Sequence, residues 1–199
     1  MGGFLNNLFE EPADATPPEL KECEGLLQTW VTYRQDLNEA EQKNIAAGTV
    51  WAKRACRRDL LTEEFLLQLH KRLFGEVWAW AGKFRRTERN IGIEPVQVSV
   101  ELRKAFDDAR YWIEHNIFPP DEIAVRLHHR LVAIHPFPNG NGRTSRLLGD
   151  LLVVRLGREV FSWGRPNLTD TSKTRTRYIN ALQAADNHDI KPLLEFARS

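Results

Sequence analysis

Two strongly helical patterns follow one another in residues 121–157, DEIAVRLHHRLVAIHPFPNGNGRTSRLLGDLLVVRLG, and they indicate a helical fold. The first part of this stretch predicts a helix with one buried face, because apolar residues recur at steps of four and three: Ile123, Leu127, Leu131 and Ile134. Residues 143–157 form the most apolar of the predicted helices, which we expect to run through the middle of the domain and to end at Gly157. A short segment rich in proline and glycine separates the two helices.

Helical patterns lie on both sides of this stretch. Asn38 is a suitable N-cap for a helix over residues 38–55, and Glu41 completes a capping box. The predicted core face of that helix comprises Ile45, Val50 and Trp51. Thr62 begins a second helix, with acidic residues in its first turn, that ends at Gly75. Further helices are predicted over residues 100–116, 171–186 and 189–197.

One segment has the alternation of a strand instead. In RNIGIEPVQVSV, residues 89–100, apolar residues alternate with others on both sides of a Glu-Pro pair: Ile91, Ile93, Val96, Val98 and Val100. We therefore expect a small β-hairpin here. The sequence as a whole predicts an all-α domain of about six to eight helices with that one hairpin inserted.

Length and composition favour one soluble domain. The chain has 199 residues, 42% of them hydrophobic, and a net charge of +1. Residues 1–30 predict an extended acidic N-terminal arm, and residues 31–199 the folded domain. The sequence contains no long apolar run and no basic excess, so we expect a cytoplasmic protein without direct membrane or nucleic-acid binding.

The segment HPFPNGNGRTSR, residues 135–146, carries the chemistry. Pro136 disfavours helical geometry at His135, so the incoming helix has to end at the histidine. Gly140 and Gly142 let the backbone approach a ligand closely just before the next helix. The unpaired N–H groups and the positive dipole at that helix start favour an anion.

Two arginines strengthen the prediction of an anion site. Arg143 and Arg146 lie three residues apart in the first turn of the second helix, so both can point at one anion. A phosphate chain suits this arrangement. A neutral His135 imidazole beside it could take the proton of an attacking hydroxyl during phosphoryl or nucleotidyl transfer.

The segment resembles the HxFx(D/E)GNGRxxR signature of the Fic/Doc family, and the likeness extends over most of the chain. FRRTERNIGI resembles the sequence that leads into the family's flap hairpin, and RYINALQAAD with PLLEFA resembles its closing helices. The flanking sequence is most similar to the branch called mobile mystery protein B. The resemblance implies a protein adenylyltransferase, which transfers AMP from ATP to a hydroxyl side chain of a target protein.

The resemblance also implies a role for each position. His135 is the base that activates the target hydroxyl, and Phe137 anchors the loop in the core. The anion hole for the α- and β-phosphates consists of Gly140, Asn141 and Gly142, and the outer phosphates are bound by Arg143 and Arg146. Gly142 stands where the phosphorylating Doc branch has lysine, which favours nucleotide transfer.

Asn139 departs from the signature, whose acidic residue at this position holds Mg²⁺. An amide oxygen can bind Mg²⁺ but adds no negative charge, so a weaker site is expected. Asn139 is equally interpretable as a neutral turn residue. The alternative function is therefore a weakly active or degenerate domain that binds nucleotide or a partner and acts as a regulatory module.

The family's flap binds an extended stretch of the target by strand addition, and Ile91, Gly92 and Ile93 are the candidates for that role. The target would present a Ser, Thr or Tyr hydroxyl. The family's inhibitory (S/T)xxxE(G/N) motif has no strict copy, since Leu20 precedes Glu24-Gly25 where Ser or Thr is required. The resemblance therefore leaves room for an inhibitory or helix-turn-helix partner protein, with a toxin-like pairing among the alternatives.

Other polar residues have simpler interpretations. His128 and His129 occupy adjacent helical positions that face different ways, which favours packing or solvent exposure over metal binding. The basic cluster Lys83, Arg85, Arg86 and Arg89 is predicted to be a solvated rim beside the flap rather than a nucleic-acid contact. Trp78, Trp80 and Trp163 are predicted core residues.

Overall fold

A computed structural model describes residues 25–31, 34–164 and 171–199. In these residues it contains seven α-helices. They are α1 Arg34–Ala55, α2 Glu63–Phe74, α3 Val98–Glu114, α4 Pro120–Ile134, α5 Asn141–Arg155, α6 Thr171–Asp186 and α7 Lys191–Arg198. The predicted all-α class and the predicted number of helices are confirmed. Most of the predicted N-terminal arm, residues 1–24, lies outside the described residues.

The predicted hairpin is wrong. Residues 91–94 are irregular, Pro95–Gln97 is a single 3-10 turn, and α3 begins at Val98. Pro95 supplies no backbone N–H to a strand ladder, but it fits the first position of a helical turn. Val98 is buried on the same helix face as Leu102 and Phe106, whereas Val96 is 84% exposed. Within the described residues the only β contact is a bridge between Leu26 and Trp78.

Helix α1 begins earlier than predicted. It starts at Arg34, so Asn38 is an exposed residue inside the helix and not its N-cap. Its buried stripe runs through Leu37, Ala40, Asn44, Gly48 and Ala52. Val50, a predicted core residue, is 51% exposed, whereas Ile45 and Trp51 pack against the core. Gly48 allows close packing on α2, because a Cβ there would lie 2.5 Å from the Arg72 carbonyl oxygen.

The other boundaries agree with the sequence prediction. The Thr62 hydroxyl caps α2 by accepting a hydrogen bond from the Phe65 N–H at 3.1 Å. Helix α5 contacts α1, α2 and α4 and buries Leu148, Leu152 and Val153. It therefore lies among the other helices, as predicted, and α2 and α4 are surrounded in the same way. Among the described helices, none is both long and apolar enough to cross a membrane.

Candidate active site

His135 occupies the exit of α4. Its backbone is left-handed, with φ 53° and ψ 60°, and its N–H donates to the Leu131 carbonyl at 3.1 Å. Pro136 prevents the helix from continuing, which accounts for the termination one residue earlier. A left-handed residue other than glycine costs about 1 kcal/mol. The chain therefore turns sharply at the predicted base.

The loop after His135 is closed by one side chain. The Phe137 N–H donates to Asn141 Oδ1 at 2.9 Å, and Asn141 Nδ2 donates to the Phe137 carbonyl at 2.8 Å. Both residues are buried, so these bonds are shielded from water. Asn141, predicted as part of the anion hole, thus also fixes the shape of the loop. Phe137 lies in the core, where the resemblance placed it.

His70 supports the loop from α2. Its imidazole stacks on Phe137 at 3.6 Å between ring centroids. The Gly82 N–H donates to Nδ1 at 2.9 Å, so Nε2 carries the proton and donates to the Asn139 carbonyl at 3.0 Å. Burial lowers the pKa of His70 to about 3 and the Arg143 cation adds to this, while the bond to Asn139 acts in the opposite direction. The side chain is uncharged at neutral pH.

Gly140 makes the transition into α5. Its φ is +77°, and a Cβ there would lie 2.6 Å from Cε2 of Phe74. Both observations require glycine. The N–H groups of Asn141, Gly142 and Arg143 belong to the first turn of α5, where the helix itself offers no acceptors. This turn can therefore receive an anion.

The two arginines have different neighbours. Arg143 Nη1 donates to Glu41 Oε2 at 2.7 Å, and its guanidinium lies 4.7 Å from the centre of the Phe74 ring. Arg146 donates from Nε to the Gly142 carbonyl at 3.1 Å and lies 5.5 Å from the Tyr178 ring centre. Arg143 thus already has an anionic partner, supplied by α1.

Asn139 does not fit a magnesium site built by the protein. Its Oδ1 accepts a hydrogen bond from the Gly140 N–H at 2.6 Å, which favours its role as a turn residue. In the described part of the chain, no group of three or more His, Cys, Asp or Glu residues could hold a metal ion. Magnesium normally requires a carboxylate besides the substrate phosphates. The described residues therefore do not fit a magnesium ion held by the protein alone.

The electrostatic surroundings of His135 keep its imidazole neutral. Burial, followed by the positive charges of Arg85 and Arg89, lowers its pKa to about 4, and the Val132 carbonyl opposes the shift. The ring is therefore unprotonated at neutral pH, and its lone pair can accept a proton.

The segment predicted to bind the target packs directly on His135. A Cβ at Gly92 would lie 2.7 Å from Cβ of His135, and φ at Gly92 is +115°. Ile91 is 48% exposed, and Ile93 is partly buried against the core. Of the three predicted flap residues, Gly92 therefore contacts the predicted base, and none of the three lies in a strand.

The prediction that the basic cluster is a solvated rim is wrong for Arg85. Lys83 and Arg86 are exposed, but Arg85 is only 3% exposed and lies between the flap segment and the turn that bears His135. Its position in a basic run gave no sign of this, because burial depends on where the two segments meet. The arginine is part of the site's framework.

The buried His128 and the partly buried Tyr178 form a pair beside Arg146. His128 is fully buried, as the packing interpretation predicted, and its Nε2 lies 3.1 Å from the Tyr178 hydroxyl. Burial raises the pKa of Tyr178. His129 instead pairs with Asp186 at 2.8 Å near the surface. Of the three predicted core tryptophans, Trp78 and Trp163 are buried and Trp80 is partly buried.

The sequence analysis missed the site residues that come from other helices. Glu41 was interpreted as a capping residue, yet its carboxylate accepts from both Arg143 and Trp78 Nε1. His70 was not singled out. Its position on the buried face of α2, four residues before Phe74, was the only available signal. The arrangement defines a class of helical domain in which a histidine at the exit of one helix is followed by the open start of the next.

Comparison with known proteins agrees with this class. The model of the Fic/DOC family matches residues 60–153. A Protein adenylyltransferase Fic from Culex quinquefasciatus is 34% identical over 145 residues, and one from Aedes aegypti is 32% identical over 144 residues. Each match covers 70% of this chain but only 27% and 28% of the respective relative.

A solved structure of Fic-1 from C. elegans has the same fold. It is 26% identical to this chain, with a TM-score of 0.63, and the alignment covers 88% of this chain and 56% of that one. The chain described here belongs to the Fic/DOC family. Its placement in the mobile mystery protein B branch stays a prediction.

Proposed function

We propose that this domain is a protein adenylyltransferase that transfers AMP from ATP to a Ser, Thr or Tyr hydroxyl of a target protein. Relatives that carry this activity in their names are much longer than the matched stretch. The proposal therefore depends on the site itself. One observation carries it: a neutral imidazole at His135 stands at a helix exit, five residues before the open helix start at Gly140.

The proposed reaction is an in-line displacement at the α-phosphorus. The target hydroxyl oxygen forms a bond to the α-phosphorus while His135 takes its proton. The bond from the α-phosphorus to the bridging oxygen breaks, and pyrophosphate leaves with that oxygen. The N–H groups at Gly142 and Arg143 would stabilise the phosphate charge, because they point out of the first turn of α5.

Incubation with α-labelled ATP and a cell lysate tests this function. The native protein should label at least one protein band, and His135→Ala should label none. Label that persists unchanged in the variant would remove His135 from the mechanism. A cytoplasmic location and an inhibitory or helix-turn-helix partner stay predictions.

A second candidate function is a weakly active module that binds nucleotide or a partner protein. It is favoured by the bond between Asn139 and Gly140 and by the Glu41 carboxylate on Arg143. This function predicts nucleotide binding in calorimetry with little labelling of any target. Efficient labelling by the native protein would exclude it.

A further inference from the structure

Arg85 contacts both the turn that bears His135 and the predicted target-binding segment, whose relative position the proposed mechanism requires to be fixed. It lies in the irregular stretch between α2 and α3 and is 3% exposed. Its side chain faces the carbonyls at the end of α4 on one side and those of the flap segment, residues 87–93, on the other. A single guanidinium therefore spans the boundary between the base and the predicted target-binding segment.

On the side of the base, three hydrogen bonds hold the turn. Arg85 Nε donates to the His135 carbonyl at 2.6 Å, and Nη2 donates to the Ile134 carbonyl at 3.3 Å. The backbone N–H of Arg85 donates to the Pro136 carbonyl at 2.9 Å. Three consecutive carbonyls around the left-handed His135 are thus bound by one residue.

On the flap side, the same guanidinium binds both ends of the segment. Nη1 donates to the Thr87 carbonyl at 3.0 Å, and Nη2 also donates to the Ile93 carbonyl. Gly92 completes the contact, because a Cβ there would lie 2.7 Å from Arg85 Nη2. The flap segment therefore contacts the arginine at Thr87 and Ile93, and at Gly92 there is no space for a side chain between the segment and His135.

Arginine is the side chain that suits this position. Its planar fork offers five N–H donors in fixed directions and keeps its charge, whereas lysine offers one rotatable ammonium group. A buried cation is costly unless it is fully hydrogen-bonded. Within the described residues, the hydrogen bonds of the Arg85 guanidinium are to backbone carbonyls, so they do not depend on the identity of a partner side chain.

We propose that Arg85 is a positioning residue for the transfer reaction, which holds the target-binding segment and the turn bearing His135 in one register. This role rests on the proposed adenylyltransferase function. It places the target hydroxyl at the distance from the imidazole that proton transfer requires, and loss of such positioning is costly even when binding persists. The cation also opposes protonation of His135, together with burial and Arg89, against the pull of the Val132 carbonyl.

The test uses Arg85→Met, Arg85→Lys and the exposed neighbour Arg86→Met as a matched control. In Arg85→Met, kcat should fall by about tenfold to a hundredfold while KM for ATP changes less than about twofold. The His135 imidazole, followed by NMR, should titrate at higher pH because burial and the neighbouring charge are both reduced. Amide exchange at residues 87–93 should quicken. Arg86→Met should match the native protein in all four measurements.

Arg85→Lys keeps the positive charge but removes the planar arrangement of N–H donors. It should keep the titration of His135 near the native value but leave kcat low and amide exchange at 87–93 fast. Full rescue by lysine would overturn the proposal, as would an Arg85→Met variant with native kcat per folded molecule and native exchange. If Arg85→Met does not fold, the lysine variant decides.

The NMR and exchange measurements need no target protein. If the native protein labels nothing, the proposed function fails, while unchanged exchange at residues 87–93 in the Arg85 variants would separately refute the positioning role. Faster exchange in those variants, with native exchange in Arg86→Met, would sustain it.

Discussion

Asn139 separates this site from the signature that it otherwise follows. Its amide oxygen is engaged by the Gly140 N–H, so the position stabilises the turn and adds no charge for a metal. The neighbouring backbone is held independently by His70 and Asn141. A change at residue 139 should therefore alter metal binding with little effect on the loop.

Asn139→Asp should increase labelling of a target in the presence of Mg²⁺. A carboxylate supplies the negative charge that magnesium prefers, and its oxygen can still accept from the Gly140 N–H. Labelling with α-labelled ATP at several Mg²⁺ concentrations measures the effect. Asn38→Asp, at an exposed position inside α1, is the control. Equal labelling by native protein and Asn139→Asp would show that position 139 does not limit metal use.

Gly140→Ala should destabilise the domain more than Gly157→Ala. Both glycines have positive φ, 77° and 82°, so alanine costs about 1 kcal/mol at either position. At Gly140 a Cβ also meets Phe74 at 2.6 Å, which adds about 1–3 kcal/mol, whereas at Gly157 nothing lies within 4 Å. Urea unfolding of the two variants measures the difference. Equal free energies of unfolding would mean that Phe74 moves aside freely.

At the scale of elements, helices with a strong stripe or cap were predictable. Thr62, the apolar stripe of α4 and the termination at His135 are local signals, and the structure agrees with each. The start of α3 at Val98 was not predictable, because the alternating valines that indicated a hairpin also fit an irregular turn followed by a helix. Only the neighbouring helices determine that Val98 is buried while Val96 and Val100 are exposed.

The contact between α1 and α5 bears on nucleotide binding. Glu41 on α1 pairs with Arg143 on α5, and the Glu41 side chain is 16% exposed. A nucleotide's outer phosphates would compete with this carboxylate for the same guanidinium. The interaction therefore weakens the nucleotide site while it joins the two helices.

Glu41→Gln should lower the apparent KM for ATP by about twofold to fivefold, as expected for the loss of one competing ion pair. Glutamine can still accept from Trp78 Nε1, so the packing of α1 should persist. Glu39→Gln removes an exposed pair with Lys43 on the same helix and serves as the control. Weaker ATP binding in Glu41→Gln would show that the carboxylate orients Arg143 and does not compete for it.

For the whole molecule, the loop from His135 to Arg146 could be predicted from the sequence, but the residues that hold it in place from other helices and loops could not. The chain from His135 to Arg146 is contiguous, so its spacing alone identified the loop. His70, Arg85 and Glu41 reach the loop from distant parts of the sequence. Their roles follow from tertiary packing, which one sequence without its fold does not contain.

Buried neutral histidines should make the stability of the domain sensitive to acid. Burial lowers the pKa of His128 to about 3, below its ordinary value of 6.5. The unfolded chain therefore binds a proton first as pH falls, and the stability present above about pH 6.5 is lost between that pH and about pH 3. The free energy of unfolding should fall by at most about 1.4 kcal/mol per pH unit for this group.

His128→Gln tests that dependence. Between about pH 6 and pH 4, the slope of the free energy of unfolding against pH should be smaller in the variant by up to one proton. Identical slopes in the native protein and the variant would mean that His128 does not stay neutral in the fold.

The most direct test of the central claim is the mass of a target protein after incubation with ATP. The target is isolated from the lysate by its label and measured intact, with native protein and with His135→Ala in parallel. We expect the mass of one AMP group to be added by the native protein and nothing to be added by the variant. Addition of a lone phosphate would contradict AMP transfer, and the same AMP addition by His135→Ala would contradict the role of His135 as the base.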